Sequence, residues 1–152
     1  MRKMETSMKS RVTIVNAEGL IVGRMASKVA KRLLNGEEVI ILNAEKAIFS
    51  GKKKAKILEA HIFLEVGAPE RGPFHYRRPD RFLRKTVRGM VPYKQPKGKE
   101  AYGRLKVFMG VPLEFKNKEL ITFEEASSAK LKGPHFTLGE LAKEIGWRNR
   151  ME

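Results

Sequence analysis

Arg81, Arg84, Lys85 and Arg88 stand at i, i+3, i+4 and i+7, a spacing that places four cations on one face of an α-helix. Leu83, Thr86, Val87 and Met90 fall opposite, with Phe82 at the border. The chemistry such a strip offers is phosphate binding. A solvated face is the ordinary reading of a helical charge run, but Arg81 with Lys85 and Arg84 with Arg88 are like charges at i, i+4, which repel. No acid lies on the strip to relieve them. Helix stability alone therefore disfavours the arrangement, and a polyanionic ligand favours it.

The strip sits in the most basic part of the chain. Residues 71–106 carry twelve Lys or Arg against Asp80 and Glu100, a charge of +10, whereas the remaining twenty basic and fifteen acidic residues give +5. Arg71, His75, Tyr76, Arg77 and Arg78 precede the helix on a Gly- and Pro-rich stretch, and Lys94, Lys97, Lys99 and Arg104 follow it. Phe74, His75, Tyr76, Phe82, Tyr93 and Tyr102 are set among these cations. Positive charge interleaved with flat rings suits folded RNA, which offers phosphates and bases for stacking. Gly72 and Gly89 leave room for close backbone approach to RNA, beside the plainer roles of a turn and a helix end. Lys52, Lys53 and Lys54 are a second candidate site, at the start of an expected helix whose free N–H groups favour phosphate; an ordinary lysine-rich turn is equally compatible.

Catalytic constellations are missing. His61, His75 and His135 have no ligand-like spacing, and no His-Glu-x-x-His occurs. Gly67 and Gly72 frame half a phosphate-binding loop, but Pro73-Phe74 stands where Lys and a hydroxyl residue are required. Ser50-Gly51-Lys52 lacks the first glycine of such a loop, and Gly19 to Gly23 lacks the third glycine of a dinucleotide fingerprint. Glu124-Glu125 reads as a surface turn rather than an acid–base pair. With no cysteine, disulfides, thiol nucleophiles and cysteine-based zinc sites are excluded. No metal or cofactor is expected.

A chain of 152 residues with 41% hydrophobic and 32% charged residues supports one globular domain. A net charge of +15 directs it to a polyanion, nucleic acid before an anionic membrane surface. No apolar run approaches the roughly 20 residues that span a bilayer, and the N-terminus lacks the apolar core of a signal peptide, so a cytoplasmic location is expected.

The elements that must position the cations are legible in order. Residues 1–10 are expected to be a flexible tail, with a single domain over residues 11–152. Val12-Thr13-Ile14-Val15 predicts a strand. After Gly23, Met25, Val29 and Leu33 form one apolar row and Ala26, Ala30 and Leu34 the next, with Arg24, Lys28, Lys31 and Arg32 on the other side and Asn35-Gly36 as the stop. Val39-Ile40-Ile41-Leu42 predicts a strand covered on both faces, giving a right-handed βαβ unit with parallel strands. Ile48-Phe49 suggests a short further strand. A second helix runs to about Val66, with Leu58, Ile62 and Val66 expected inward, flanked by Ile57, His61 and Leu64. Residues 67–104 form the basic arm and helix; Asp80 is placed to cap that helix and Pro92 to stop it. A short helix from Lys97 with Ala101, Tyr102 and Leu105 inward leads to a last strand over residues 105–109. Residues 113–135 are an irregular connection. Thr137-Leu138-Gly139-Glu140 is a capping box for a C-terminal helix over residues 137–146, with Leu138, Leu141, Ala142 and Ile145 inward. Trp147 is read as docking that helix on the core, with stacking on a base beside Arg148 and Arg150 as the alternative.

These strings together resemble a known family. Arg71-Gly72-Pro73-Phe74-His75-Tyr76-Arg77, Thr86-Val87-Arg88-Gly89-Met90-Val91-Pro92 and Arg104-Leu105-Lys106-Val107-Phe108-Met109-Gly110-Val111-Pro112 are similar to the L-thirteen family of large-subunit ribosomal proteins. So are Gly23-Arg24-Met25-Ala26-Ser27, Asn43-Ala44-Glu45, Ser50-Gly51 and the tail from Leu138 to Trp147. The likeness covers residues 11–112 and 136–148, and Arg71-Gly72-Pro73 with the Gly-Trp tail resembles the archaeal and eukaryotic cytosolic branch. Val91 replaces the usual Leu of a Gly-Met-Leu-Pro signature, a conservative change; residues 113–135 match weakly and take no role from the family.

The resemblance implies an α/β fold, three-layer α/β/α around a four-stranded parallel sheet with a basic extended arm. It implies a structural constituent of the large ribosomal subunit that binds large-subunit rRNA, supports early assembly, adjoins neighbouring ribosomal proteins and catalyses nothing. Its rRNA-contacting region corresponds to the strip and arm above plus the Ser50-Gly51-Lys52 turn. Arg24, Lys52, Lys53, Lys54, Arg71, His75, Tyr76, Arg77, Arg78, Arg81, Arg84, Lys85, Arg88, Gly89, Lys94, Lys97, Lys99 and Arg104 are thus the expected RNA-binding set. Two rivals are an RNA-modifying or nucleotide-binding enzyme and a free regulatory RNA- or DNA-binding module.

Overall fold

A computed structural model describes residues 11–68, 70–72 and 75–149, so the expected tail at residues 1–10 lies outside it, as do Pro69, Pro73 and Phe74 of the arm. In chain order the elements are β1 (Val12–Asn16), α1 (Val22–Leu34), β2 (Glu38–Leu42), β3 (Ile48–Ser50), α2 (Lys53–Glu65), α3 (Pro79–Arg88), α4 (Pro96–Gly103), β4 (Leu105–Val107), β5 (His135–Thr137) and α5 (Leu138–Glu144).

The central sheet has the order β1-β2-β4, all parallel, with β2 in the middle and buried except at Glu38. Four strands were expected and three form. In place of a fourth, Ile121 makes an isolated parallel bridge beside Val15, its N–H donating to the Ile14 carbonyl at 2.8 Å. Ile48-Phe49 does become a strand, but β3 pairs antiparallel with β5 in a separate two-stranded sheet.

Alternation along the strands divides the core. Val15, Val39 and Ile41 point to one side and join the buried rows of α1, α3 and α5; Ile14, Ile40 and Leu42 point to the other. That second face is closed by Phe115, with Phe108 and Val111 against it, from the segment after β4. Phe115 sits on a single 3-10 turn, Leu113–Phe115, and among the described residues no α-helix contributes to this face.

The α1 pattern holds: Met25, Ala26, Val29, Ala30 and Leu33 are buried, and only Leu34 of the expected rows is exposed. Its end is a Schellman turn, with Gly36 at φ 91°, its N–H donating to Leu33 and that of Glu37 to Arg32. The α5 end repeats the device at Gly146, φ 110°, where the Trp147 N–H donates to the Ala142 carbonyl at 2.9 Å. Thr137 caps α5 by accepting from the Glu140 N–H at 3.2 Å, as its capping box requires.

Two helix details correct the sequence reading. In α2 the inward residues are Ile57, Ala60 and Leu64, while Leu58, Ile62 and Val66 are 63%, 52% and 58% exposed. The helix is apolar on both sides, so periodicity gave no single answer. In α3 the N-cap is Arg78 and Pro79 opens the first turn, where proline's missing N–H costs nothing. Asp80 therefore lies inside the helix, accepting from the Arg81 N–H at 2.9 Å. The helix ends at Arg88, ahead of Pro92.

Candidate nucleic-acid interface

Leu83 and Val87 anchor α3 in the core, and the anchoring fixes which way the strip faces. Arg81, Lys85 and Arg88 are exposed and Arg84 is half-buried. Among the described residues none of the four has a carboxylate within 4.0 Å, although Arg78 beside them pairs with Asp80 at 3.3 Å.

Aromatic rings carry the guanidinium groups instead. Arg88 lies 4.3 Å from the centre of the Tyr93 ring, Arg84 4.7 Å from Tyr102 and Arg81 5.9 Å from Tyr76, all within reach of a cation–π attraction. Tyr93 and Tyr102 meet edge to face at 5.3 Å, joining the turn after α3 to α4. Lys85 Nζ lies 3.1 Å from His75 Nδ1, and the His75 ring leans on Phe63 at 5.3 Å. The rings expected to receive bases thus serve first as rests for the arginines.

The other expected residues fall into groups. Lys94, Lys97 and Lys99 are exposed along the turn and α4, beyond the strip. Arg71 is exposed on a tight turn, where its N–H and that of Gly72 both donate to the Ala68 carbonyl at 3.1 Å. Gly72 needs its positive φ of 69° there, whereas Gly89 is right-handed helical and exposed. Lys52, Lys53 and Lys54 do sit at the N-terminus of α2, but Lys53 faces Glu144 at 3.8 Å and Glu140 at 4.0 Å on α5. Arg24 lies exposed in the first turn of α1.

Arg104 is turned inward. Its Nη2 donates to the Leu33 carbonyl at 2.7 Å, where the C-terminal end of α1 favours a cation, and its Nε is buried without a partner. Elsewhere on α1, Lys28 pairs with Glu125, and that hydrogen bond and charge hold the Glu125 carboxyl below the ordinary carboxylate range.

A cleft of about 860 Å³ opens where the arm meets the C-terminal turn, lined by Arg77, Arg78, Met109, Gly110, Trp147 and Arg148, with Glu45 at its wall. Trp147 is half-buried and belongs to neither apolar cluster, so docking on the core is not its role. The Gly-Trp-Arg string was the available signal for this cleft; the neighbouring aliphatic stripe of α5 outweighed it.

Among the described residues no cluster of His, Cys, Asp or Glu could hold a metal ion, and no helix is long and apolar enough to cross a membrane.

A family model described as Ribosomal protein L13 matches residues 10–114. Large ribosomal subunit protein uL13 of Methanococcoides burtonii is 46% identical over 136 residues, spanning 89% of this chain and 98% of the relative. The protein of the same name in Archaeoglobus fulgidus is 42% identical over 138 residues, spanning 90% and 88%. That of Saccharolobus solfataricus is 40% identical over 148 residues, spanning 95% and 99%.

Proposed function

The chain belongs to the ribosomal protein L13 family, and from that premise we propose that it is a structural constituent of the large ribosomal subunit, without enzymatic activity, that binds large-subunit rRNA and supports early assembly. It works in the cytoplasmic ribosome, needs no cofactor or small-molecule substrate, and has rRNA and neighbouring ribosomal proteins as partners. The observation that carries the RNA reading is the outer face of α3, where Arg81, Arg84, Lys85 and Arg88 stand together with no carboxylate within 4.0 Å among the described residues.

In this reading residues 67–104 are the RNA-binding part of one domain over residues 11–152. Arg81, Lys85, Arg88, Lys94, Lys97 and Lys99 neutralise phosphates and release counterions. The Tyr93 and Tyr102 rests hold two of the guanidinium groups before RNA arrives, so less side-chain entropy is lost on binding. Arg71, His75, Tyr76 and Arg77 on the arm, and Lys52 and Lys54 at the α2 N-terminus, extend the footprint. Lys53, Arg78 and Arg104 contribute less, because each already has an internal partner. The exposed apolar row Leu58, Ile62 and Val66, flanked by Glu59 and Glu65, suits a protein neighbour better than a phosphate backbone.

The test is filter binding of large-subunit rRNA by the wild type and by Arg81→Glu with Arg88→Glu. The double variant keeps its circular dichroism, loses at least about tenfold in affinity, and shows a salt slope shallower by about one per lost phosphate contact. Equal affinities and slopes would dismiss α3 as the RNA face. Sedimentation of the tagged wild type away from large subunits in a sucrose gradient would dismiss the ribosomal role itself.

A further inference from the structure

We propose that the cleft between the arm and the C-terminal turn is a nucleotide subsite, taking one or more unstacked rRNA nucleotides with a base on Trp147 and phosphates on Arg77 and Arg148. The proposal rests on the rRNA-binding reading and adds a site beyond the α3 strip, where Arg78 at the start of α3 meets the turn after α5. Its size, about 860 Å³, is within the range of ligand clefts, roughly 300–1,000 Å³. Its composition combines an indole and arginines around an apolar floor with Met109, the mixture that holds single-stranded bases.

The geometry is built rather than incidental. Trp147 occupies the position after the left-handed Gly146, where its N–H is fixed on the Ala142 carbonyl at 2.9 Å, so the chain leaves α5 in one direction. The Arg77 side chain passes over Gly146, and a Cβ there would lie 3.7 Å from Arg77 Cδ. Glu45, the acid of the cleft, is already engaged, accepting from the Gly110 N–H at 3.1 Å. Among the described residues neither Arg77 nor Arg148 has a carboxylate within 4.0 Å. Two cations with no carboxylate within 4.0 Å, beside a half-buried indole, offer both halves of a nucleotide what they need.

The chain has one tryptophan, so its emission reports this cleft alone. The full-length protein is titrated with large-subunit rRNA and, separately, with a short single-stranded oligoribonucleotide and the duplex of the same length. Expected are strong quenching by rRNA and by the single strand, and little by the duplex. Trp147→Leu should weaken rRNA binding roughly 5- to 140-fold, as loss of one base–aromatic stack does. Arg77→Ala, which leaves the indole in place, should weaken the single-strand quenching and so covers the case in which Trp147→Leu fails to fold. Saturating rRNA binding by filter assay with unchanged Trp147 emission would overturn the subsite while leaving the α3 reading intact. Absence of any rRNA binding would overturn both.

Discussion

Gly98→Ala separates what helix propensity predicts from what the packing predicts, because the two differ in sign. In an exposed helix the change is worth about 1 kcal/mol in favour of alanine. Here Gly98 is buried where α4 crosses the turn after α3. A Cβ at this position would lie 1.9 Å from the Pro92 carbonyl oxygen, 2.3 Å from its carbon and 2.9 Å from the Tyr93 nitrogen. All three are backbone atoms, and no side-chain rotation relieves them. Ordinary contact begins near 3.4 Å, so α4 must withdraw by about 1.5 Å. Overpacking costs about 1–3 kcal/mol in general, and a backbone-on-backbone contact belongs at the upper end. Net of the helix gain, a loss of about 2 kcal/mol is expected, or about 4–8 °C in Tm for a chain of this size. Urea unfolding followed by circular dichroism measures it. Because Tyr93 and Tyr102 meet across the same junction, rRNA affinity should also fall as their support for Arg84 and Arg88 shifts. An unfolding midpoint equal to or above wild type would refute the close approach of α4 to Pro92.

Arg104→Ala removes the charged hydrogen bond to Leu33 and should cost about 2 kcal/mol in urea unfolding; an unchanged midpoint with weakened rRNA binding would make it an RNA contact instead. Lys28→Ala should return the Glu125 carboxyl upward towards its ordinary value in an NMR titration. A depressed carboxylate contributes stability above its unfolded pKa and loses it as pH falls, but this pair is exposed, so the acid limb of the stability profile should barely move; a Glu125 titration that ignores the substitution would remove Lys28 as the cause.

The elements with one unambiguous apolar stripe were readable from the chain. The α1 helix has Gly36 to end it, β2 is a continuous apolar run, and α5 carries its own cap in Thr137, so local and long-range preferences agree. The α2 helix is different: Ile57 and Leu64 compete with Leu58, Ile62 and Val66, and only the rest of the fold decides. The pairing of Ile48–Ser50 with His135–Thr137 joins segments far apart in sequence, and two three-residue strands carry too little pattern to announce it. Arg104 shows the same limit for sites. Its charge and neighbours match those of the exposed cations, and nothing in its surroundings in sequence says that it turns in to Leu33.

The energetics of the α3 strip also come out differently from the charge argument alone. Repulsion between like charges at i, i+4 costs about 0.2–0.5 kcal/mol per pair, whereas each exposed guanidinium on a ring gains about 0.5–1 kcal/mol. Three rests therefore offset much of the repulsion among neighbours at i, i+3 and i, i+4. What remains distinctive is that rings, unlike carboxylates, stabilise arginine without cancelling its charge. Carboxylates are spent elsewhere: Glu125 on Lys28, Glu37 on Arg32, Glu38 on Lys106, Glu140 and Glu144 on Lys53, Glu59 on Lys56. They take up single cations of α1, α2 and the sheet edge, while Arg81, Arg84, Lys85 and Arg88 on α3 keep their full charge. Residues 71–106 hold +10 of the net +15, and there rings rather than acids hold Arg84 and Arg88 in place without neutralising them.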